Sequence, residues 1–76
     1  MDISLFPEHH RAYILSGVVR NNRNGIAVRL GGLEGKMLRL FVRQSRPEPA
    51  LPAEELVQRA RSAFEDVPYE LRIYAE

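Results

Sequence analysis

Cysteine is absent from this 76-residue chain, which removes any disulfide framework, any thiolate metal site and any cysteine nucleophile. Tryptophan is absent too, and the two histidines are adjacent. Neighbouring residues on an extended segment point opposite ways, so His9 and His10 with Glu8 do not converge on one ion, and no third histidine completes a set. Neither a metal nor a cofactor is expected. No apolar run approaches the ~20 residues that span a bilayer, and Met1–His10 lacks the basic start and apolar middle of a signal peptide. The expectation is a cytoplasmic protein without a membrane partner. Lysine is nearly missing as well: Lys36 stands alone against ten arginines. That bias leans toward protein interfaces and bidentate anion recognition more than toward loose tracking of phosphates.

What is present bounds the fold. The chain is expected to form one domain over residues 1–76, in which only ~60% of the unfolded surface becomes buried, so the margin of stability is narrow. Hydrophobic residues make up 45% and charged residues 28%, ordinary values for a globular chain. The net charge of +1 hides an asymmetry: residues 1–46 hold eight cations against three acids, and residues 47–76 hold three against seven, a split of +5 and −4. One basic and one acidic surface would steer association, or let two copies meet.

Along the chain, Arg11–Arg20 is β-branched and aromatic enough to predict a strand. Asn24-Gly25 follows as a hairpin signal. Gly25–Leu30 alternates Ile26, Val28 and Leu30 against Ala27 and Arg29. Leu33–Gly35 reads as a three-residue loop with Gly35 left-handed, and Met37–Arg43 alternates Leu38, Leu40 and Val42 against Met37, Arg39, Phe41 and Arg43. Residues 45–52 form a Pro-rich connector that does not fit a ladder. Pro52 then starts a helix whose stripe runs Ala53, Leu56, Val57, Ala60, Ala63, Phe64 and Val67, with Pro68 ending it. Glu54 and Glu55 suit its first turn, and Glu55 with Arg59 forms an i,i+4 pair. Tyr69–Ala75 alternates again as a last strand. Residues 1–10 are a flexible segment or, over Asp2–Phe6, a short edge strand. The order β-β-β-α-β predicts an α+β domain, a small and mostly antiparallel sheet with one helix on one face.

The turns fix a register. A loop at Leu33–Gly35 sets Leu30 opposite Leu38 and Val28 opposite Leu40, which aligns the apolar faces, with Arg29 opposite Arg39 and Ala27 opposite Phe41 on the other surface. A tight Asn24-Gly25 turn adds Arg20, giving a row Arg20–Arg29–Arg39 flanked by Arg43. Like charges facing one another cost a few tenths to ~1 kcal/mol per pair. The offset is a carboxylate of this chain, with Glu70 the best placed, or guanidiniums splayed into water over Phe41, or an acidic partner.

Other motifs carry less. Gly31–Lys36 lacks the phosphate-loop spacing and is followed by Met37 instead of Ser or Thr, while Glu34 would repel phosphate. Gly32–Gly35 has a GxxG spacing but lies between two strands. Arg46–Pro52 fits R-x-x-P-x-x-P, a polyproline pattern that a stiff connector explains equally well. Ser16 has no histidine placed to activate it, and no two carboxylates look set in different environments, so no enzyme is expected. The residues point instead to a non-catalytic protein-interaction module, an adaptor or inhibitor docking an acidic surface through Arg20, Arg29, Met37, Arg39, Phe41, Arg43, Arg72 and Tyr74. Nucleic-acid binding by the same face is the alternative, and a homodimer is compatible with either.

Overall fold

The computed structural model describes residues 3–76. A 3₁₀ turn at Ile3–Leu5 leads into helix α1 (Glu8–Arg23), strand β1 (Ile26–Glu34), strand β2 (Met37–Gln44), helix α2 (Ala53–Ala63) and strand β3 (Glu70–Ala75). The α+β class holds. The expected order does not: the chain runs α-β-β-α-β with two helices, and the three-stranded sheet is mixed, β1 antiparallel to β2 and β3 parallel to it.

The segment Arg11–Arg20 lies within α1 and is not a strand. Ile14, Gly17, Val18 and Asn21 fall at spacings of three and four and turn inward, with Ile14 and Asn21 fully buried. β-branched residues lower helix propensity by only tenths of a kcal/mol each, whereas burying Ile14 alone contributes about 1.5–3 kcal/mol. Glu8 in the first turn and Arg20 and Arg23 in the last complement the helix dipole. Asn24-Gly25 is therefore a helix end and not a hairpin: Gly25, at φ 78°, reverses the chain out of α1. The N-terminal edge strand is replaced by the 3₁₀ turn over its described residues, and Phe6 is 1% exposed in the core. Met1 and Asp2 of that expected segment lie outside the described residues.

Leu38, Leu40 and Val42 on the central strand are all fully buried. The first two pack with Ile14 of α1 and with Phe64 just past α2, and Val42 packs with Leu56 and Ala60 of α2. Both helices thus cover one face of the sheet and the opposite face is open. In α2 the centre of the expected stripe holds, with Leu56, Ala60 and Ala63 buried and Val57 half-buried, whereas Ala53 is exposed in the first turn and Phe64 and Val67 lie past the helix end. The helix stops at Ala63, with Phe64 as its cap, five residues before Pro68. Between β2 and α2, the Gln44 amide donates to the Pro49 carbonyl (2.6 Å) and accepts from the Leu51 amide (2.7 Å), fastening the proline-rich connector.

The β1–β2 register differs from expectation. Leu30 pairs with Leu40, Val28 with Val42 and Arg29 with Phe41; a bulge at Gly31-Gly32 follows, and Glu34 pairs with Met37 across a two-residue turn. The bulge keeps the apolar residues of β1 on the helix side.

Candidate functional site

The open face is a small lattice whose rows follow from the register. Glu34, Met37 and Glu70 form one row; Arg39 and Arg72 face each other in the next; Arg29, Phe41 and Tyr74 form the third; Ala27 and Arg43 form the fourth. Arg29 and Arg39 share this surface as expected, though as diagonal neighbours and not a facing pair. Arg20 is elsewhere. It projects from α1 toward the end of α2, donating to the Ala63 carbonyl (3.4 Å) and lying 3.6 Å from Asp66. The Arg20–Arg29–Arg39 row therefore does not exist, because the segment expected to carry its first member is helical.

The centre of the face is a stack. The Arg29 guanidinium carbon lies 4.3 Å from the centroid of the Phe41 ring. Phe41 in turn stacks on Tyr74 with centroids 5.4 Å apart and planes inclined by 24°. A guanidinium over an aromatic face gains electrostatically while its stem stays apolar. Tyr74 is 44% exposed, so the stack ends in an aromatic surface open to solvent.

Two of the four arginines already hold a carboxylate. Arg29 donates from Nε (3.1 Å) and from a terminal nitrogen (2.6 Å) to Glu76, and Arg39 lies 3.3 Å from Glu34. Glu70, the expected partner, binds neither of them; it sits opposite Met37 at the far end of the lattice. Sequence reasoning missed Glu34 and Glu76. Glu34 becomes visible only if the turn is Gly35-Lys36, and Glu76 only if β3 lies beside β2. Arg43 and Arg72 make no ion pair or hydrogen bond among the described residues. Over the whole face four arginines stand against three glutamates, a balance of +1.

Nothing comparable gathers elsewhere among the described residues. Among the described residues no three His, Cys, Asp or Glu side chains come within reach of one metal ion. His9 and His10 lie on the first turn of α1, not on an extended segment, with rings 4.1 Å apart, and His10 Nδ1 is 2.8 Å from the Tyr69 hydroxyl. Two open grooves of about 630 and 710 Å³ run along α2 and β3, the second floored by Val57, Ile73 and Tyr74. No helix among the described residues is long and apolar enough to cross a membrane. Comparisons with protein-family models, with curated proteins and with solved structures found no match to this chain.

Proposed function

We propose that the chain is a non-catalytic protein-interaction module, an adaptor or inhibitor that docks an acidic patch of another protein on the open face of its sheet. One observation carries this reading: both helices pack on the same side, leaving a face on which an Arg29–Phe41–Tyr74 stack is bordered by two arginines, Arg43 and Arg72, that pair with no carboxylate among the described residues. A partner carboxylate at each supplies a charge-assisted hydrogen bond, about 1.5–3 kcal/mol where water is excluded. Phe41 and Tyr74 provide the apolar contact between them, and Met37 extends it on the far side of Arg72.

The charge balance favours protein over nucleic acid. Neutralising a phosphate backbone calls for many uncompensated cations, and this face nets only +1. A protein surface carrying a few carboxylates among neutral groups suits a mixed lattice better. The test is affinity capture from the native host with the wild-type chain and with Arg43→Glu/Arg72→Glu, identifying both co-purified protein and nucleic acid. Loss of a specific protein in the variant, with circular dichroism and melting temperature unchanged, is the expected result. Full retention of that protein refutes the assignment to this face. A gel shift with generic nucleic acid whose affinity falls steeply with salt would transfer the face to the alternative partner.

A further inference from the structure

β3 is an edge strand with a trough beside it. The Glu70 amide bonds the Lys36 carbonyl (2.7 Å) and the Glu76 amide bonds the Val42 carbonyl (2.8 Å). The parallel pattern therefore directs the backbone groups of Arg72 and Tyr74 toward β2 and turns the N–H and C=O of Leu71, Ile73 and Ala75 outward. Leu71 and Ile73 are half-buried, Ala75 is exposed, and the two grooves beside α2 open along this edge. Arg61 donates to the Leu71 carbonyl (3.3 Å), which takes one of that oxygen's two lone pairs. No side chain among the described residues bonds the outward groups of Ile73 and Ala75.

The far wall of the trough is a flank of α2, on which Glu54, Val57, Gln58 and Arg61 follow helical spacing. α2 runs antiparallel to β3: Phe64 past its end packs with Leu38, which pairs with Leu71, while Leu56 packs with Val42, which pairs with Ala75. Arg61 thus stands at the Leu71 end and Glu54 at the Ala75 end, with the apolar side chains of Val57 and Ile73 between them. Neither charge has an ion pair among the described residues. At about 1.5 Å per residue they are roughly 10 Å apart along the helix.

We propose that this trough binds an extended segment of another protein, added antiparallel to β3 as a fourth strand, whose alternate residues are basic, apolar and acidic in that order. With the apolar residue opposite Ile73, the basic one lies opposite Ala75 and the acidic one opposite Leu71. All three then exchange backbone hydrogen bonds with the outward groups of β3. Their side chains turn to the helix side, as those of Leu71 and Ile73 do. The apolar one covers Val57 and Ile73, the base meets Glu54 and the acid meets Arg61. The two charged residues are about 13 Å apart along a strand, which flexible side chains match to the spacing on the helix. Charge fixes the direction, because a segment running the other way sets its base against Arg61 and its acid against Glu54. The size of the edge favours a short segment over a second folded copy. Six residues span about 20 Å, and with a depth of at most the 19 Å short axis of the molecule the edge covers about 400 Å² per copy, roughly half of what a stable interface needs.

The probe is a fluorescein-labelled peptide, Thr-Lys-Thr-Val-Thr-Glu-Thr, titrated with the full chain to about 1 mM and followed by anisotropy, with amide hydrogen exchange to locate it. The expected dissociation constant is about 10–100 µM, in the range of weak, small interfaces. Saturating peptide slows the amides of Leu71, Ile73 and Ala75 about tenfold or more, while those of Arg72 and Tyr74 are slow throughout. The charge-swapped peptide Thr-Glu-Thr-Val-Thr-Lys-Thr binds at least about tenfold more weakly. Glu54→Lys/Arg61→Glu, at two exposed positions, reverses that preference with circular dichroism unchanged. Arg43→Glu on the open face leaves peptide affinity as it is, so failure of this proposal and failure of the docking-face assignment are separable. Absence of binding by either peptide overturns the proposal, as does equal affinity for the two. Binding that leaves the three β3 amides fast also overturns it. So does protection of those amides by concentrated protein alone, which would give the edge to a second copy.

Discussion

Gly17 in the middle of α1 offers the sharpest check on how the two helices meet. A methyl group there would lie 2.2 Å from Phe64 Cδ1, 2.4 Å from Cε1 and 2.9 Å from Cγ. Carbon atoms rest at about 3.5 Å or more, so the ring must withdraw by roughly 1.3 Å. Phe64 is 1% exposed and packed with Phe6, Ile14, Leu38 and Leu40, so it cannot retreat without displacing the core. Overpacking of this kind costs about 1–3 kcal/mol, at the high end where a rigid ring takes the strain. Alanine in place of glycine returns about 1 kcal/mol through helix propensity. The clash wins, and Gly17→Ala is expected to lose about 1–2 kcal/mol, which in a domain this small lowers the melting temperature by about 5–15 °C. Thermal and urea unfolding followed by circular dichroism measure it. Combining Gly17→Ala with Phe64→Leu should recover part of the loss as a coupling energy of about 1 kcal/mol. A single variant as stable as wild type, or more so, would mean that Phe64 has room and that the α1–α2 contact is not the one described.

Leu40→Ala, at a fully buried position of the central strand, should cost about 2–5 kcal/mol by urea titration and leave little folded protein at 37 °C. Asn21 is fully buried, its Nδ2 donating to the Gly17 carbonyl at 3.0 Å and, at the longer 3.5 Å, to the Ala60 carbonyl, while Oδ1 has no partner among the described residues. Asn21→Ala removes that unsatisfied oxygen together with the Gly17 bond and the long Ala60 contact, so the change should stay within about 1 kcal/mol, and a loss above about 2 kcal/mol would show that the oxygen is engaged. A double-mutant cycle of Arg29→Ala and Glu76→Gln should give a coupling energy below about 1 kcal/mol that shrinks further in about 0.5 M salt, because the pair is exposed.

Parity survived in the sequence reading even where register failed. A three-residue loop at Leu33–Gly35 sets Leu30 opposite Leu38; the protein pairs Leu30 with Leu40. The actual two-residue turn reverses the in–out phase, and the bulge at Gly31-Gly32 reverses it again, so Arg29, Arg39, Phe41 and Arg43 still share the open face. Two glycines side by side in a strand are the local sign of such a bulge. α1 was illegible for a different reason. Its inward positions are Ile14, Gly17, Val18 and Asn21, and a glycine and an asparagine interrupt the apolar stripe that periodicity looks for, while Leu15 and Val19 supply apolar residues on the wet side. α2, whose stripe is aliphatic and aromatic throughout, was legible to within a few residues. The clamp of Arg29 by Glu76 joins residues 47 apart in the chain, and it depends on the parallel placement of β3, which alternation within a single strand does not encode.

The internal ion pairs rank the arginines of the open face. Arg29–Glu76 and Arg39–Glu34 are surface pairs, their side chains between 36% and 65% exposed, and pairs of this kind contribute at most about 1 kcal/mol. A partner that brings a better-desolvated carboxylate can therefore displace Glu34 or Glu76 at small cost, but it gains only the difference between the two pairs. At Arg43 and Arg72 no carboxylate of the described residues has to be displaced. Arg72 also faces Arg39 directly, a repulsion that an incoming carboxylate relieves while it forms its own bonds. Of the four, Arg72 should thus lose the most binding on charge removal, followed by Arg43, with Arg29 and Arg39 below them. Single alanine variants measured by calorimetry against a captured partner would reveal that order. A ranking led by Arg29 would place the centre of binding on the aromatic stack instead of on the free cations.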